Sequence, residues 1–268
     1  MTSEKKLILR AKIDVGNLFS SISDSMYGIS KSISFKILKS GITMESRAEG
    51  NSILYRTELE SHKFVSFEFN AEKDSVFYFE VKVSDLRDIF RGTKKKVNVT
   101  LKIEEGGKYI YILREKNNFE GIPRAKIPFI EDSTPIEFKY PSFDITTPHV
   151  KVATSTFSTD LKTIKKRTTK TIFKVGKYGV KLSMKKVEDE AQQEFPYSDK
   201  KEGDEGSKIF KRTFLTANLI IIMKLSKLDK FMNIYVIPDS QTIIFAIDAA
   251  GKGTHYVYLL KGEKKEDN

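Results

Sequence analysis

The residues that could perform phosphate chemistry form one short motif near the end of the chain. Residues 251–254 read Gly-Lys-Gly-Thr, which is close to a phosphate-binding loop. Such a loop requires Gly-Lys followed directly by Ser or Thr, with an earlier glycine, and here Gly253 stands between Lys252 and Thr254. The motif is therefore better interpreted as a hairpin turn.

Other catalytic patterns have no support in the sequence. His62, His149 and His255 are far apart and lack the spacing of zinc ligands on a helix. No Gly-x-Ser-x-Gly motif occurs, and the acidic triplet at 188–190 lies in a charged stretch typical of a solvated loop. We therefore predict a protein that is not an enzyme and that uses no metal and no cofactor.

Basic residues are the chemistry that the chain has in excess. Lys and Arg number 47 against 36 Asp and Glu, which gives a formal charge of +11. Residues 161–186 contain ten basic residues and no acidic one, and such a run is costly unless counter-charge is near. Phosphate supplies that charge, so the run favours a nucleic-acid partner; a solvated lysine-rich face is the alternative.

Two smaller basic clusters accompany other segments with helical spacing. Arg87 and Arg91 lie one helical turn apart and are followed by lysines at 94–96, and a further helical segment leads into lysines at 224, 227 and 230. The candidate DNA contacts of all three clusters are Arg87, Arg91, Lys94, Lys95, Lys162, Lys165, Lys166, Arg167, Lys170, Lys224 and Lys227.

Composition narrows the class of protein. Hydrophobic residues make up 39% of the chain, enough for a core, and the absence of cysteine fits a reducing compartment. The most apolar run, 214–225, is too short to span a bilayer, and the charged first ten residues do not form a signal peptide. We expect an intracellular protein without a membrane partner.

Hydrophobic periodicity predicts an α+β fold. Strands are predicted at 31–37, 64–69, 76–83, 97–103 and 109–113, and again at 171–175, 180–184, 233–237, 242–247 and 255–260. Four segments have helical spacing instead, with predicted caps at Asp14, Ser84, Ser158 and Thr216. Their apolar stripes are interpreted as core that packs on a sheet.

The two halves of the chain repeat at a shift of 138 positions. The segment 35–37 aligns with 173–175, Gly41 aligns with Gly179, and Phe19 aligns with Phe157. Residues 117–148 hold five of the seven prolines and are predicted to be an extended linker, and the charged stretch 187–207 is predicted to be a loop. The predicted organisation is one domain at 1–118, a connecting loop at 119–148 and a second domain at 149–268.

Two similar halves joined by a long crossover resemble the DNA sliding clamps related to proliferating cell nuclear antigen. Residues 41–46 (GITMES) resemble the hairpin of the first domain in that family, and residues 179–183 (GVKLS) resemble its counterpart in the second. Residues 143–148 resemble the end of the interdomain loop, and residues 253–260 (GTHYVYLL) resemble the last strand. The similarity of pattern extends over residues 6–261.

The resemblance implies two clamp domains, each with antiparallel sheets outside and two helices on the inner, DNA-facing side. It implies a homotrimeric ring that encircles double-stranded DNA, slides through phosphate contacts and tethers a DNA polymerase and other replication proteins. The expected location is the nucleus or a cytoplasmic replication site, within a host cell if the Lys- and Ile-rich composition reflects a viral origin.

The resemblance also implies a pocket for partner peptides. By position in the family, Phe143, Ile145, Tyr258 and Leu259 would contribute to it. The alternative is that Phe143 and Ile145 pin the linker to the protein while Tyr258 belongs to the core.

The chain departs from the family in charge and at one predicted interface strand. The predicted first helix has no basic residue, whereas the chain as a whole is basic. Ring closure in the family joins edge strands of neighbouring chains; residues 108–114 are the first candidate, and residues 191–197, with Pro196, make a poor second strand. A monomeric or dimeric clamp-fold protein that holds DNA by charge, as herpesvirus-type processivity factors do, or that serves transcription or a checkpoint, is therefore the alternative.

Overall fold

The chain divides into two compact units. The computed structural model describes residues 6–48, 52–70, 75–115, 125–131, 139–141, 143, 149–176, 179–184, 194–197, 210–237 and 240–260. The first unit comprises Met1–Glu49, Tyr55–Phe138 and Asp248–His255, and the second comprises Gly50–Leu54, Lys139–Ile247 and Tyr256–Asn268.

Most elements of the first unit are antiparallel strands. In chain order they are β1 (Leu7–Ile13), α1 (Leu18–Met26), β2 (Ser32–Leu38), β3 (Gly41–Arg47), β4 (Ile53–Glu60, from Tyr55 on), β5 (Ser66–Phe69), β6 (Phe77–Lys82), α2 (Val83–Phe90), β7 (Asn98–Glu104), β8 (Tyr109–Glu115), β9 (Ala125–Pro128) and β10 (Ile130–Glu131). One sheet has the order β5-β1-β7-β8-β9, and a second contains β10-β6-β2-β3-β4.

The second unit has a similar sequence of elements. In chain order they are β11 (His149–Ala153), α3 (Thr154–Lys165), β12 (Lys170–Gly176), β13 (Gly179–Met184), β14 (Glu194–Tyr197), β15 (Phe210–Leu215), α4 (Thr216–Lys224), β16 (Phe231–Ile237), β17 (Thr242–Asp248) and β18 (Gly253–Leu259, from Tyr256 on). One sheet has the order β14-β13-β12-β15, and β18, β17, β16 and β11 are hydrogen-bonded neighbours in that order. The described residues therefore form an α+β protein with antiparallel sheets and four α-helices.

Strand register confirms the repeat that the sequence predicts. In the β2–β3 hairpin Phe35 pairs with Met44, and in the β12–β13 hairpin Phe173 pairs with Leu182, which are the same positions shifted by 138. In each unit the strand before the second helix then pairs with the first strand of the hairpin: β6 with β2, and β15 with β12. The two units thus share both element order and local pairing.

Alternation of side chains explains why these segments form sheets with one buried face. In β2, Ile33, Phe35 and Ile37 are buried while the residues between them are half-buried, as the two-residue period of a strand requires. Gly41 begins β3 at φ +147°, and a Cβ there would lie 1.9 Å from the carbonyl oxygen of Leu59. Only glycine allows β4 to approach β3 so closely at this point.

The structure confirms the ten predicted strands and four predicted helices, but all four helices have a different N-cap from the one predicted. α2 begins at Val83 and α3 at Thr154, so that Ser84 and Ser158 lie inside their helices rather than at the caps. α1 begins at Leu18, since Gly16 donates its backbone N–H to the carbonyl of Lys95 and holds the preceding residues in a turn. α4 begins at Thr216 with Leu215 at its N-cap, so Thr216 is the first residue of the helix rather than its cap.

Several strands lie where the sequence predicts none or only a loop. β9 and β10 occupy part of the predicted linker, and β14 occupies part of the predicted loop at 187–207. β14 pairs with β13 even though Pro196 lies within it, so the expectation of a poor strand at 191–197 is wrong for residues 194–197. In the part of the chain that the structure describes, no helix has both the length and the apolar composition needed to cross a membrane.

Candidate nucleic-acid interface

The exposed side of α3 carries the densest set of predicted DNA contacts. Phe157, Leu161 and Ile164 are fully buried and fix the orientation of the helix. Lys162 and Lys165 are exposed on its other side, as are Lys166 and Arg167, which directly follow it. The sequence forms the helix in this way because apolar residues recur at three- and four-residue intervals, while hydroxyl and charged residues fill the remaining positions.

Hydroxyl side chains occupy the same exposed side of α3. Thr159 donates to the carbonyl of Ser155 at 3.0 Å, and Thr163 donates to the carbonyl of Thr159 at 3.2 Å. Lysines are common partners of phosphate oxygens, whereas each of these two hydroxyls already donates its hydrogen to the helix backbone. The one acidic residue of the helix is Asp160, so the surface is basic overall.

α4 packs against α3 and brings the third predicted cluster to the same helix pair. The Ser158 hydroxyl donates to the carbonyl of Met223 at 3.3 Å, and α3 also contacts the 3-10 turn Leu225–Lys227. Lys224 is half-buried in the last turn of α4, and Lys227 is exposed in the 3-10 turn. The structure therefore places six of the predicted contacts on one helix pair: Lys162, Lys165, Lys166, Arg167, Lys224 and Lys227.

Arg87 in α2 is engaged within the first unit. Its Nε donates to Asp24 of α1 at 2.9 Å, and its guanidinium lies 4.0 Å from the centroid of the Tyr27 ring. The hydrogen bond to Asp24 raises the pKa of Arg87. We infer that Arg87 joins the two helices of its unit, and that it is less available to phosphate than the sequence suggests.

The remaining first-unit candidates lie in the loop after α2. Arg91, Lys94 and Lys95 are all exposed. The loop is held by its backbone, because Thr93 donates to the carbonyl of Phe90 at 3.0 Å and the carbonyl of Lys95 accepts from Gly16 at 3.1 Å. Backbone hydrogen bonds thus fix the loop that carries these basic side chains, although it is not helical.

Lys170 lies on a different surface from the α3 residues. It begins β12, where Thr171 and Phe173 are fully buried and Lys170 is exposed. Successive residues of a strand point to opposite faces, so Lys170 projects from the face that is turned away from the core. The structure therefore divides the basic run at 161–186 between a helix and a sheet.

Two of the residues predicted to bind partner peptides, Phe143 and Tyr258, lie in an aromatic cluster of the second unit. The ring centroids of Phe143 and Tyr258 are 6.4 Å apart, and Phe143 is 5.2 Å from Tyr235 and 5.9 Å from Tyr256. Tyr258 and Leu259 are only 2% and 1% exposed. Ile145 lies outside the described residues.

This geometry leaves only the rim of the cluster accessible. Phe143 and Tyr256 are half-buried, and Tyr140 packs on Tyr258 with ring centroids 4.9 Å apart. A partner can contact Phe143 and Tyr256 directly. It can reach Tyr258 only if the segment that contains Tyr140 and Phe143 moves.

The edge of β8, proposed above for ring closure, is paired on both sides. β7 pairs with one edge of β8, and β9 pairs with the other through Tyr109–Pro128 to Ile112–Ala125. Ile127 of β9 is fully buried, and Lys126 lies 4.6 Å from the Tyr109 ring centroid. The expectation of an open edge at 108–114 is therefore wrong for residues 109–112, because β9 of the same chain covers that edge.

The buried histidine of the first unit has a structural environment. His255 is fully buried, and its Nδ1 lies 2.7 Å from the Thr57 hydroxyl. Burial lowers the pKa of His255 to about 3, so the ring is neutral near pH 7. Among the described residues, no three His, Asp or Glu side chains come together as a metal site.

Comparison with known proteins adds no relative. No protein-family model matches the chain, and no curated protein matches it.

Proposed function

We propose that this chain is a DNA sliding clamp or clamp-like processivity factor, which holds replication proteins on duplex DNA and has no catalytic site of its own. The observation that carries the proposal is the repeated unit. Two units share element order and register, each contributes a pair of packed helices, and one pair bears exposed lysines and hydroxyls. Such a surface suits phosphate contacts that position a protein without reading sequence.

The covered edge of β8 favours a second candidate, a monomeric or dimeric clamp-fold protein that does not close into a ring. A homotrimer closed through this strand would require β9 to leave it, which would expose the buried Ile127. Loss of such burial costs about 1.5–3 kcal/mol for a side chain of this type. A protein without a closed ring must hold DNA by charge, which the formal charge of +11 supports.

Retention on nicked circular DNA, before and after linearisation, tests both candidates. A ring should leave through free ends, so linearisation should release it even at high salt. A protein held by charge should be indifferent to ends, and its affinity should fall about 10³–10⁵-fold between about 50 and 200 mM salt if it makes six to ten phosphate contacts. Weak binding to both DNA forms at about 50 mM salt would refute both candidates.

The aromatic rim of the second unit is the proposed tether for a DNA polymerase or another replication protein. Phe143 and Tyr256 are half-buried there, and both pack on the buried Tyr258, whereas Leu259 lies on the opposite face of the strand. Phe143→Ala should therefore reduce polymerase stimulation while DNA retention is unchanged. Equal loss of both activities would instead indicate that the variant is misfolded, or that the tether lies elsewhere.

A further inference from the structure

The inward face of β8 ends in an arginine. Ile110 and Ile112 are buried on that face, and strand alternation places Arg114 on the same face. Glu115, the next residue, belongs to the other face, where it forms an ion pair with Lys12. A position that alternation assigns to an apolar side chain therefore carries a guanidinium.

This arginine is half-buried and has no acidic partner among the described residues. Its Nε atom is buried and lacks a hydrogen-bond partner there, and its side chain forms no ion pair. Its neighbour is the fully buried Phe90 at the end of α2, whose ring centroid is 6.0 Å from the guanidinium carbon. Burial lowers the pKa of Arg114, although an arginine stays charged at pH 7. A charge in such a place is costly unless an anion accompanies it.

A second buried donor lies at the same end of α2. Thr93 donates its backbone N–H to the carbonyl of Phe90 at 3.0 Å, and its Oγ1 is buried without a hydrogen-bond partner among the described residues. A third such atom is Oδ1 of Asn17, and a Cβ at the preceding Gly16 would lie 3.0 Å from Cγ2 of Thr93. Buried polar atoms normally have partners, so three such atoms around one loop indicate a place where a polar ligand can bind.

The loop itself, residues 91–97, is fixed by its backbone and is strongly basic. The carbonyl of Lys95 accepts from Gly16 at 3.1 Å, and Val97 donates to the carbonyl of Lys94 at 3.2 Å. The loop contains no acidic residue, and its basic side chains are all exposed: Arg91, Lys94, Lys95 and Lys96. The positive charge of the loop raises the local concentration of anions.

We propose that Arg114 and Thr93 bind a phosphate group at this loop, and we call the place the α2-loop site. Arg114 supplies N–H donors in a planar fork that matches phosphate oxygens, and Thr93 supplies a hydroxyl donor. The charge of the loop favours a doubly charged phosphate over a singly charged carboxylate. The phosphate can belong to a nucleic-acid backbone or to a free compound such as a nucleotide. The site does not depend on the proposed clamp function, because it can take a phosphate whether or not α3 contacts DNA.

The alternative is that Arg114 serves only to pack on Phe90. A cation over an aromatic ring is attracted to it within about 6 Å, so the observed 6.0 Å is at the limit of that contact. Packing on the ring also leaves Nε of Arg114 without a hydrogen-bond partner among the described residues. A bound phosphate satisfies both the charge and the donor.

The test is thermal unfolding of the full chain in inorganic phosphate and in chloride at equal ionic strength. Arg114→Gln removes the charge and the fork, whereas Arg114→Lys keeps the charge alone. The matched control is Arg10→Gln, which removes an exposed arginine from β1 of the same sheet. Because phosphate also stabilises proteins by exclusion from their surface, the comparison is made between variants.

The parent protein should show a saturable rise in melting temperature, about 3–5 °C when phosphate is about ten times its dissociation constant. The rise should disappear in Arg114→Gln, be smaller in Arg114→Lys and be kept in Arg10→Gln. In ¹H–¹⁵N spectra of the parent protein, the Nε–H resonance of Arg114 should shift as phosphate is added. The resonance is assigned by its absence from the spectrum of Arg114→Gln.

Anisotropy titrations with duplex DNA identify the source of the phosphate. If a backbone phosphate occupies the site, Arg114→Gln should weaken duplex binding about threefold and make the salt slope shallower by about 0.9. Unchanged duplex affinity, together with the lost phosphate effect, would assign the site to a free phosphate compound. Either result supports the α2-loop site.

An equal rise in melting temperature in Arg114→Gln and in the parent protein would overturn the proposal. An Nε–H resonance of Arg114 that phosphate does not shift would overturn it as well, and this measurement does not require a variant to fold. A lost phosphate effect in Arg114→Gln, with duplex affinity unchanged in Lys162→Gln/Lys165→Gln/Lys166→Gln, would support the site and count against the clamp surface. The two proposals can therefore fail independently.

Discussion

The helix pairs of the two units occupy equivalent positions in the chain but differ in the sign of their charge. In the first unit, Asp24, Asp85 and Asp88 outnumber the single basic residue, Arg87. In the second unit, Lys162, Lys165 and Lys224 outnumber the single acidic residue, Asp160. The architecture is repeated, whereas the charge is not.

Burial separates the helices in the same way. Seven of the nine residues of α1 are buried, including Ser21, Ser23 and Ser25, so α1 has little surface to offer a ligand. α3 exposes one side from Ser155 to Lys165. In the first unit α1 is therefore mostly buried, whereas in the second unit α3 carries exposed basic side chains.

The largest effect is expected where the two units are most alike, in the core beneath the first helix of each. Phe19 and Phe157 occupy equivalent positions and are 1% and 0% exposed. Each Phe→Ala substitution should lower the free energy of unfolding by about 3–5 kcal/mol, because it removes a buried ring and leaves a cavity. Urea unfolding of both variants measures this.

Phe231→Ala is the control for the core substitutions, since Phe231 is 48% exposed. Phe231→Ala should lower the free energy of unfolding by about 1 kcal/mol or less. If Phe19→Ala costs no more than this control while Phe157→Ala costs several times more, the two cores are not equivalent.

Charge-reversal variants should lower duplex affinity more in the second unit than in the first. Lys162→Glu/Lys165→Glu/Lys166→Glu should weaken duplex binding about 100-fold at about 0.1 M salt, and Arg91→Glu/Lys94→Glu/Lys95→Glu about tenfold. The second set follows a helix that already carries Asp85 and Asp88, so its field at a phosphate is weaker. Anisotropy titrations measure both.

Equal losses of duplex affinity in the two triple variants would show that the two units contribute equally to DNA binding. Retained affinity in the α3 variant would exclude α3 from the DNA contact altogether. Circular dichroism spectra of both variants establish whether the fold is kept.

Much of the fold could be predicted from sequence because the informative patterns are local. The alternation in β2, and the match between Phe35 and Phe173, depend on residues close together in the chain. The predicted helix starts were less accurate. Ser158, for example, is of a residue type that often caps helices, but its hydroxyl donates instead to the carbonyl of Met223 in α4. Tertiary contacts override such local preferences.

Other features that the sequence did not predict depend on how strands alternate and pair. Lys170 follows α3 closely in sequence, yet strand alternation assigns it to the sheet. β15 was not predicted, and the structure identifies it through its pairing with β12. The covering of β8 by β9 is likewise a matter of pairing, and the prolines at 123 and 128 gave no indication of it.

Acid should destabilise the first unit through His255. The folded pKa of about 3 lies below the ordinary value of 6.5, so the unfolded chain binds a proton more readily between these values. Stability is therefore complete above about pH 6.5 and falls as the pH is lowered toward 3, with a loss of about 2 kcal/mol at pH 5. Urea unfolding at pH 7 and pH 5 measures this loss.

The control for this prediction is His62→Gln, which removes an exposed histidine of the same unit. His255→Gln should be less stable at pH 7 but should lack the additional loss at pH 5. The assignment to His255 is wrong if His255→Gln loses as much stability between pH 7 and pH 5 as the parent protein does.

The smallest effects are expected for two arginines of the same short helix and its cap. Arg87 has a structural role, whereas Arg91 could contact DNA. Arg87 bridges α2 to Asp24 of α1 and stacks on Tyr27, whereas Arg91 follows α2 and is exposed. Arg87→Gln should therefore lower the melting temperature by about 2–4 °C and leave duplex affinity unchanged. Arg91→Gln should leave the melting temperature unchanged and weaken duplex binding by about threefold, the expected effect of one lost phosphate contact. If Arg87→Gln instead weakens DNA binding as much as Arg91→Gln does, the acidic helix pair of the first unit takes part in the interface, and the contrast between the two units is one of degree.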